Sequence, residues 1–280
     1  MRTLPPALFC LDESHAGHSL HGKKRPDVSL RSAVRASTPN GLRLAVARVR
    51  RAWRDSGRPG PRPQFAARPQ GPGGTGFTHR VLEIVQEIKP TAFLEGKLVN
   101  IGLGASRLDG VIVAPGEIFS FWKLVGSPSA ANGFQVGRSI RGDMVSGEVG
   151  GGLCQVSGIA YEAGLRAGLT VVERHPHSRD LYAEDERFTP LGLDATVVWP
   201  YKDLRLLNGL TVPVQFHFAV RDGTIAVSVR VQTPMAAALI EIERADHEGW
   251  RSVRITRRAA AGETEKISDD RYTAPAMEFR

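Results

Sequence analysis

Cysteine is nearly missing from this 280-residue chain: Cys10 and Cys154 stand far apart in unlike surroundings. That scarcity excludes a disulfide framework or a zinc knuckle built on clustered thiols, and it leaves Cys10 as incidental. No apolar run reaches the roughly 18 residues that a bilayer-crossing helix needs. Leu4 to Leu11 is too short, too broken by Pro5 and Pro6 and too weakly charged in front to act as a secretory signal. These absences place the protein in the cytoplasm, with membrane association possible only at a surface. No internal repeat is visible, and no Lys-Ser or Lys-Thr follows Gly150-Gly151-Gly152, so a phosphate-cradling loop is excluded.

The charge that is present is uneven. The net charge is +8, and residues 1–75 hold 14 Lys and Arg against 4 Asp and Glu, which leaves 23 against 25 in residues 76–280. The basic character therefore belongs to an arm, 1–76, on a nearly neutral body, 77–275, followed by a tail at 276–280. Residues 1–37 lack periodicity and read as a partly disordered tail. Between Gly41 and Arg54, Leu42, Val46, Val49 and Trp53 recur at i, i+4, i+7 and i+11, with arginines on the other faces. This is a basic amphipathic helix. It suits either an anionic membrane surface or docking of its apolar stripe on the body. No nucleic-acid reader motif accompanies the arginines, so nucleic acid is not expected as a partner. Arg58 to Gly76, rich in Pro and Gly, reads as a linker.

In the body, Val81, Leu82, Ile84, Val85 and Ile88 have helix-compatible spacing up to Pro90, and Phe93 to Leu108 suggests a further helix. Short strands are expected at 111–113 and 118–122, and an irregular β segment at 134–149. The clearest helix is 154–168, ended by Gly168. Beyond it the pattern turns to strands at 169–174 and 194–199, then to an antiparallel meander. In that meander Asn208-Gly209 and Arg221-Asp222-Gly223-Thr224 serve as turns and 212–220 and 225–231 alternate, with a further pair at 238–243 and 250–256. The fold class is α+β: a mainly antiparallel sheet packed on a central helix headed by Cys154.

A glycine run entering a helix start puts Cys154 at the positive end of a helix dipole, which favours thiolate. A cysteine nucleophile needs a base and a group that orients it. His175 or His177 after the next strand, and Asp194 beyond, supply both in the order Cys, His, Asp, a layout similar to papain-like and transglutaminase-like enzymes. Gln155 is a candidate oxyanion donor. The same residues also permit a metal reading, because i and i+2 in His175-Pro176-His177 face alike on an extended strand; the scarcity of cysteine argues against it, and no cofactor is expected. The bland alternative is a small buried cysteine on a core helix.

Several stretches together resemble the VanW family, named for an accessory protein of vancomycin-resistance gene clusters. They are Asn100, Asp109 to Val113, Pro115 to Trp122, Gly150 to Ser157, Glu173-Arg174-His175-Pro176-His177 and Gly192 to Val197, with Tyr272 to Pro275 as an extension. The resemblance covers roughly 80–235. It implies a role in the cell envelope or peptidoglycan metabolism. The Ser/Thr-His-Gly-Cys pattern of L,D-transpeptidases is missing, so that activity is not transferred. The resulting expectation is a cysteine-dependent hydrolase or acyl transferase of amide or peptide bonds, such as those of a peptidoglycan stem peptide or precursor. Cys154 is the nucleophile, His177 or His175 the base and Asp194 the orienter, with substrate contacts from Gly150, Gly151, Gly152, Gln155, Ser157 and Arg174. The alternative is a non-catalytic module that grips a cell-wall fragment or a metal.

Overall fold

In the computed structural model, which describes residues 39–56, 62–68, 75–90, 92–141, 144–180, 187–260 and 262–273, the alternating strands of the meander form the middle of the central sheet. Strands β9 (Val214–Arg221) and β10 (Thr224–Val231) pair antiparallel across a turn whose Asp222 and Gly223 both have positive φ, as a two-residue hairpin requires. Ile225, Val227, Val229 and Val231 point inward, opposite Val214 and Phe216 of the partner strand. The sheet is completed by β2 (His79–Glu87) beside β10 and by β3 (Ile112–Val113) beside β9.

The expected helix over 79–88 is therefore a strand. Its spacing fits both periods, but β10 offers an antiparallel partner along the whole of 79–87, with one register shift. Its β-branched residues suit a pleated edge, with Val85 outward and Gln86 buried. The helix expected next is α2 (Leu94–Leu108), following α1 (Asn40–Ser56) in the chain. Of its glycines, which weaken the sequence signal, Gly104 marks a close approach, since a Cβ there would meet Leu153 Cδ2 at 2.8 Å, whereas Gly102 faces open space.

A second sheet has the order β1 (Gln64–Phe65), β4 (Glu117–Ser120), β8 (Arg205–Leu207) and β7 (Thr170–Glu173). Within the Pro/Gly-rich stretch, then, Gln64 and Phe65 add a parallel strand to β4. The strand expected over 118–122 stops at Ser120, and Phe121–Val125 form a short helix, α3. The Ser120 hydroxyl accepts from Lys123 N, and Asp203 Oδ1 accepts from Trp122 N at 3.0 Å, so the turn is capped from outside. Asn208-Gly209 does not close a hairpin, because β8 and β9 belong to different sheets. Asn208 is instead buried and donates to Val113 O and Val212 O.

The 134–149 segment is a hairpin of β5 (Val136–Arg141) and β6 (Met144–Val149). A three-stranded antiparallel sheet of β11 (Leu239–His247), β12 (Trp250–Arg258) and β13 (Thr264–Thr273) closes the described chain. The third of these strands was not anticipated, because its polar residues carry no apolar alternation. Helix α4 (Leu153–Arg166) packs against α2, β2 and β10, and Val156, Ile159, Ala160, Ala163 and Leu165 are buried. The fold is thus α+β, with mostly antiparallel sheets and few helices. The chain divides into two compact units, 1–43 and 44–280, and the sheets and the site belong to the second. The tail 1–37, Cys10 and the tail 276–280 lie outside the described residues, as does much of the 58–76 stretch.

Candidate functional site

Cys154 is the second residue of α4 and lines a cavity of about 610 Å³. The loop before it fits tightly. Gly152, the residue before the helix, has φ 103°, and a Cβ there would meet Lys97 Cγ at 2.9 Å; on Gly151 it would meet the Gly137 carbonyl oxygen at 2.2 Å. Glycine is required here because the loop lies against β5 and α2. Buried Asn100 fixes the same loop by donating to Gly151 O and Gln135 O, both at 2.9 Å, while its Oδ1 accepts from Gln135 N. The sequence contains Asn100 within the family pattern but gives no sign of this role.

The thiol, the imidazole and the carboxylate come together. His177 Nδ1 lies 2.6 Å from Asp194 Oδ2, which also accepts from His177 N at 2.7 Å. With Nδ1 held there, Nε2 is the nitrogen left to face Cys154 across the cavity wall they share, while the thiol itself donates to Val197 O at 3.8 Å. Burial works against a charged ring, but the hydrogen bonds to Asp194 and Cys154 push its pKa up to about 10. Burial alone would push the thiol up. The hydrogen bond and charge of His177 outweigh it and bring Cys154 below its ordinary value. A thiolate–imidazolium pair is the state these shifts favour.

Behind this pair stands an assembly that holds Asp194. Asp194 Oδ1 accepts from Tyr272 OH at 2.6 Å and from Arg174 Nη2 at 3.0 Å. Burial would raise its pKa, yet His177, Arg174 and Tyr272 hold it well below the usual carboxylate range. Arg174, its side chain only 4% exposed, also donates to Asp194 O and Gly192 O, pairs with Asp270 and lies over the Tyr161 ring. It sits behind the aspartate and is not part of the cavity lining. Burial among these charges pushes Tyr161 up to about 12 and raises Tyr272 as well.

The strand expected over 194–199 is absent. These residues form a buried loop held from three sides: Arg174 takes Asp194 O, Thr196 N donates to His175 O at 2.7 Å, and the Ser157 hydroxyl donates to Ala195 O at 2.6 Å. Ser157 is wholly buried and thus ties α4 to the Asp194 loop rather than facing the cavity. Gln155 lines the cavity, but its Nε2 donates to Glu87 O at 2.8 Å, so its amide donor is already committed to backbone.

His175 goes elsewhere. Its Nε2 lies 3.2 Å from Glu173 Oε1, and Glu173 is in turn held by Arg51 Nη2 at 3.0 Å. The two histidines, expected on one side of a strand, lie beyond the end of β7 with separate partners. Among the described residues, no group of three or more His, Cys, Asp or Glu is arranged to hold a metal ion. Nor is any helix among them long and apolar enough to cross a membrane.

Fold and site together define an α+β protein with a helix-headed cysteine facing a histidine–aspartate pair. Residues 96–230 match the family model described as "VanW like protein", so this stretch is a VanW-like domain. The chain is 33% identical over 146 residues to the uncharacterized protein YoaR of Bacillus subtilis, covering 52% of this chain and 46% of that one. It is 29% identical over 133 residues to the vancomycin B-type resistance protein VanW of Enterococcus faecalis, covering 48% of each. The chain thus spans about half the length of the curated relatives it matches. No solved structure matches it.

Proposed function

We propose that this protein is a cysteine-dependent hydrolase or acyl transferase acting on an amide or peptide bond of the cell envelope, such as one in a peptidoglycan stem peptide or precursor. The observation that carries the reading is the line Cys154, His177, Asp194, with a lowered thiol, a raised imidazole and a fully bonded carboxylate. The envelope assignment draws on the name of the Enterococcus relative.

The chemistry follows from the geometry. The Cys154 thiolate attacks the amide carbon, a C–S bond forms, and the carbonyl electron pair moves onto oxygen. The Cys154 N–H, in the first turn of α4 and so without an intrahelical acceptor, is the donor placed for that oxyanion, aided by the helix dipole. Collapse of the adduct breaks the C–N bond, and imidazolium His177 gives its proton to the leaving amine. Water, or an acceptor amine for transfer, then attacks the thioester while His177 takes the proton back and the thiolate leaves. Asp194 keeps Nδ1 as the donor to itself and Nε2 toward sulfur, and Arg174 and Tyr272 position Asp194.

The test is incubation of the purified protein with peptidoglycan fragments, with mass spectrometry for released amine or for an acyl group on Cys154. Adducts that disappear in a folded Cys154→Ala variant are expected. Product formation unchanged by that substitution would overturn the reading. A cysteine that stays inert to both fragments and alkylating agents would point to the binding module instead.

A further inference from the structure

Helix α1 is docked by its polar face. At about 100° per residue, Arg51 stands half a turn away from the stripe Leu42, Val46, Val49 and Trp53. It is Arg51 that is buried against the body: Nε donates to Pro200 O at 2.8 Å, Nη1 to Asp203 Oδ2 at 3.1 Å and Nη2 to Glu173 Oε1 at 3.0 Å. One turn later Asp55 receives Arg205 through two bonds of 2.7 and 3.1 Å. The stripe faces outward, with Val49 68% and Trp53 70% exposed. Of the two settings expected for the apolar stripe, docking on the body is the one α1 does not adopt. Ion pairs take the inner side of α1 and its apolar residues are left to something else.

We propose that the outward stripe of α1 is a docking surface for an anionic lipid bilayer. The choice of occupant rests on charge. Arg48 and Arg50 are exposed beside the apolar residues, Asp55 is the only acidic residue of the helix and is turned inward, and residues 1–75 carry 14 basic against 4 acidic residues. An aromatic ring and aliphatic side chains on one face with flanking arginines match the headgroup–acyl boundary. A second copy of this chain would bring the same cations against one another. Leu44 and Arg48 of α1 also line the cavity of Cys154, so seating the stripe on lipid would bring that cavity wall to within about one helix diameter, roughly 10 Å, of the headgroups.

The experiment is co-sedimentation of the full chain with vesicles of phosphatidylcholine alone and of phosphatidylcholine with 30% phosphatidylglycerol (about one anionic lipid in three). A Val49→Glu/Trp53→Glu variant is run alongside, its fold checked by circular dichroism. Binding to the anionic vesicles, weakened by salt and reduced at least about tenfold in the variant, is the expected result. Arg48→Gln/Arg50→Gln lowers binding in the same direction while leaving the stripe intact. Three outcomes would each overturn the proposal: no binding to anionic vesicles, binding retained by the stripe variant, or a concentration-dependent dimer that the stripe substitutions dissolve while vesicles bind nothing.

Discussion

Two buried aspartates, Asp194 and Asp203, have nearly the same company and opposite fates. Each accepts four hydrogen bonds, each has an arginine among its donors, and each lies near one histidine of the His175-Pro176-His177 segment. Asp203 takes Ser120 Oγ, Trp122 N, Arg51 and Arg205. Burial prevails there and its pKa is raised. Its donors come from α1, β4, α3 and β8, so it joins elements of structure, and its neighbour Glu173 absorbs His175. Asp194 takes Tyr272, Arg174 and both the backbone and the ring of His177, and it remains ionised. Its last partner is itself titratable, stands in a cavity wall and reaches a thiol. A saturated buried carboxylate is therefore no mark of a site. What distinguishes one is whether the chain of bonds ends on a group that can exchange a proton with a ligand.

The comparison is broken most sharply at the histidines. His177→Gln removes the cation that stabilises the thiolate, so alkylation of Cys154 below about pH 8 is expected to slow toward that of an ordinary thiol near 8.5. Turnover of a fragment substrate should fall by a factor on the order of 10²–10⁴. Arg174→Met leaves Asp194 and Asp270 buried without their shared cation. A loss of about 3–5 kcal/mol in denaturant unfolding is expected. On the other side, Arg51→Met should cost about 1–3 kcal/mol by unpairing Glu173 and Asp203, with alkylation of Cys154 unchanged. His175→Gln is the smallest change, within about 1 kcal/mol, since its pair with Glu173 is partly exposed. A drop in thiol reactivity in either of these last two variants would merge the two networks that the structure keeps apart.

How much of this was legible beforehand differs by element. The β9–β10 hairpin was readable because its alternation and its Asp-Gly turn say the same thing. So was α4, whose broad apolar surface is buried on nearly every side. β2 was not, because Val81 to Ile88 fits either period and only the β10 partner decides. At the site, the residue types and their order pointed to Cys154, a histidine and Asp194. Which histidine pairs with Asp194 and which with Glu173 depends on contacts made 17 and 2 residues along the chain. Arg174, Tyr272 and Ser157 act through tertiary contacts, Tyr272 from 78 residues beyond Asp194, and no local pattern carries that. The polar docking of α1 ran against its own amphipathicity, since an arginine stripe reads as solvent-facing until acidic partners are placed opposite it.

An ion pair between Cys154 and His177 would be read out most directly in the pH dependence of Cys154 alkylation. With the thiol lowered and the imidazole raised to about 10, the ion pair is favoured below about pH 10 and above the lowered thiol pKa. The raised imidazole also makes the folded state hold a proton that the unfolded chain releases near 6.5. Its contribution to stability is therefore complete below that value and is lost as pH climbs through about 10. Iodoacetamide reactivity should accordingly rise at a lower pH in the wild type than in His177→Gln, whose single rise is expected at or above about 8.5. A wild-type profile that already rises only at that pH, unaltered by His177→Gln, would contradict the ion pair and with it the reading of Cys154 as a nucleophile.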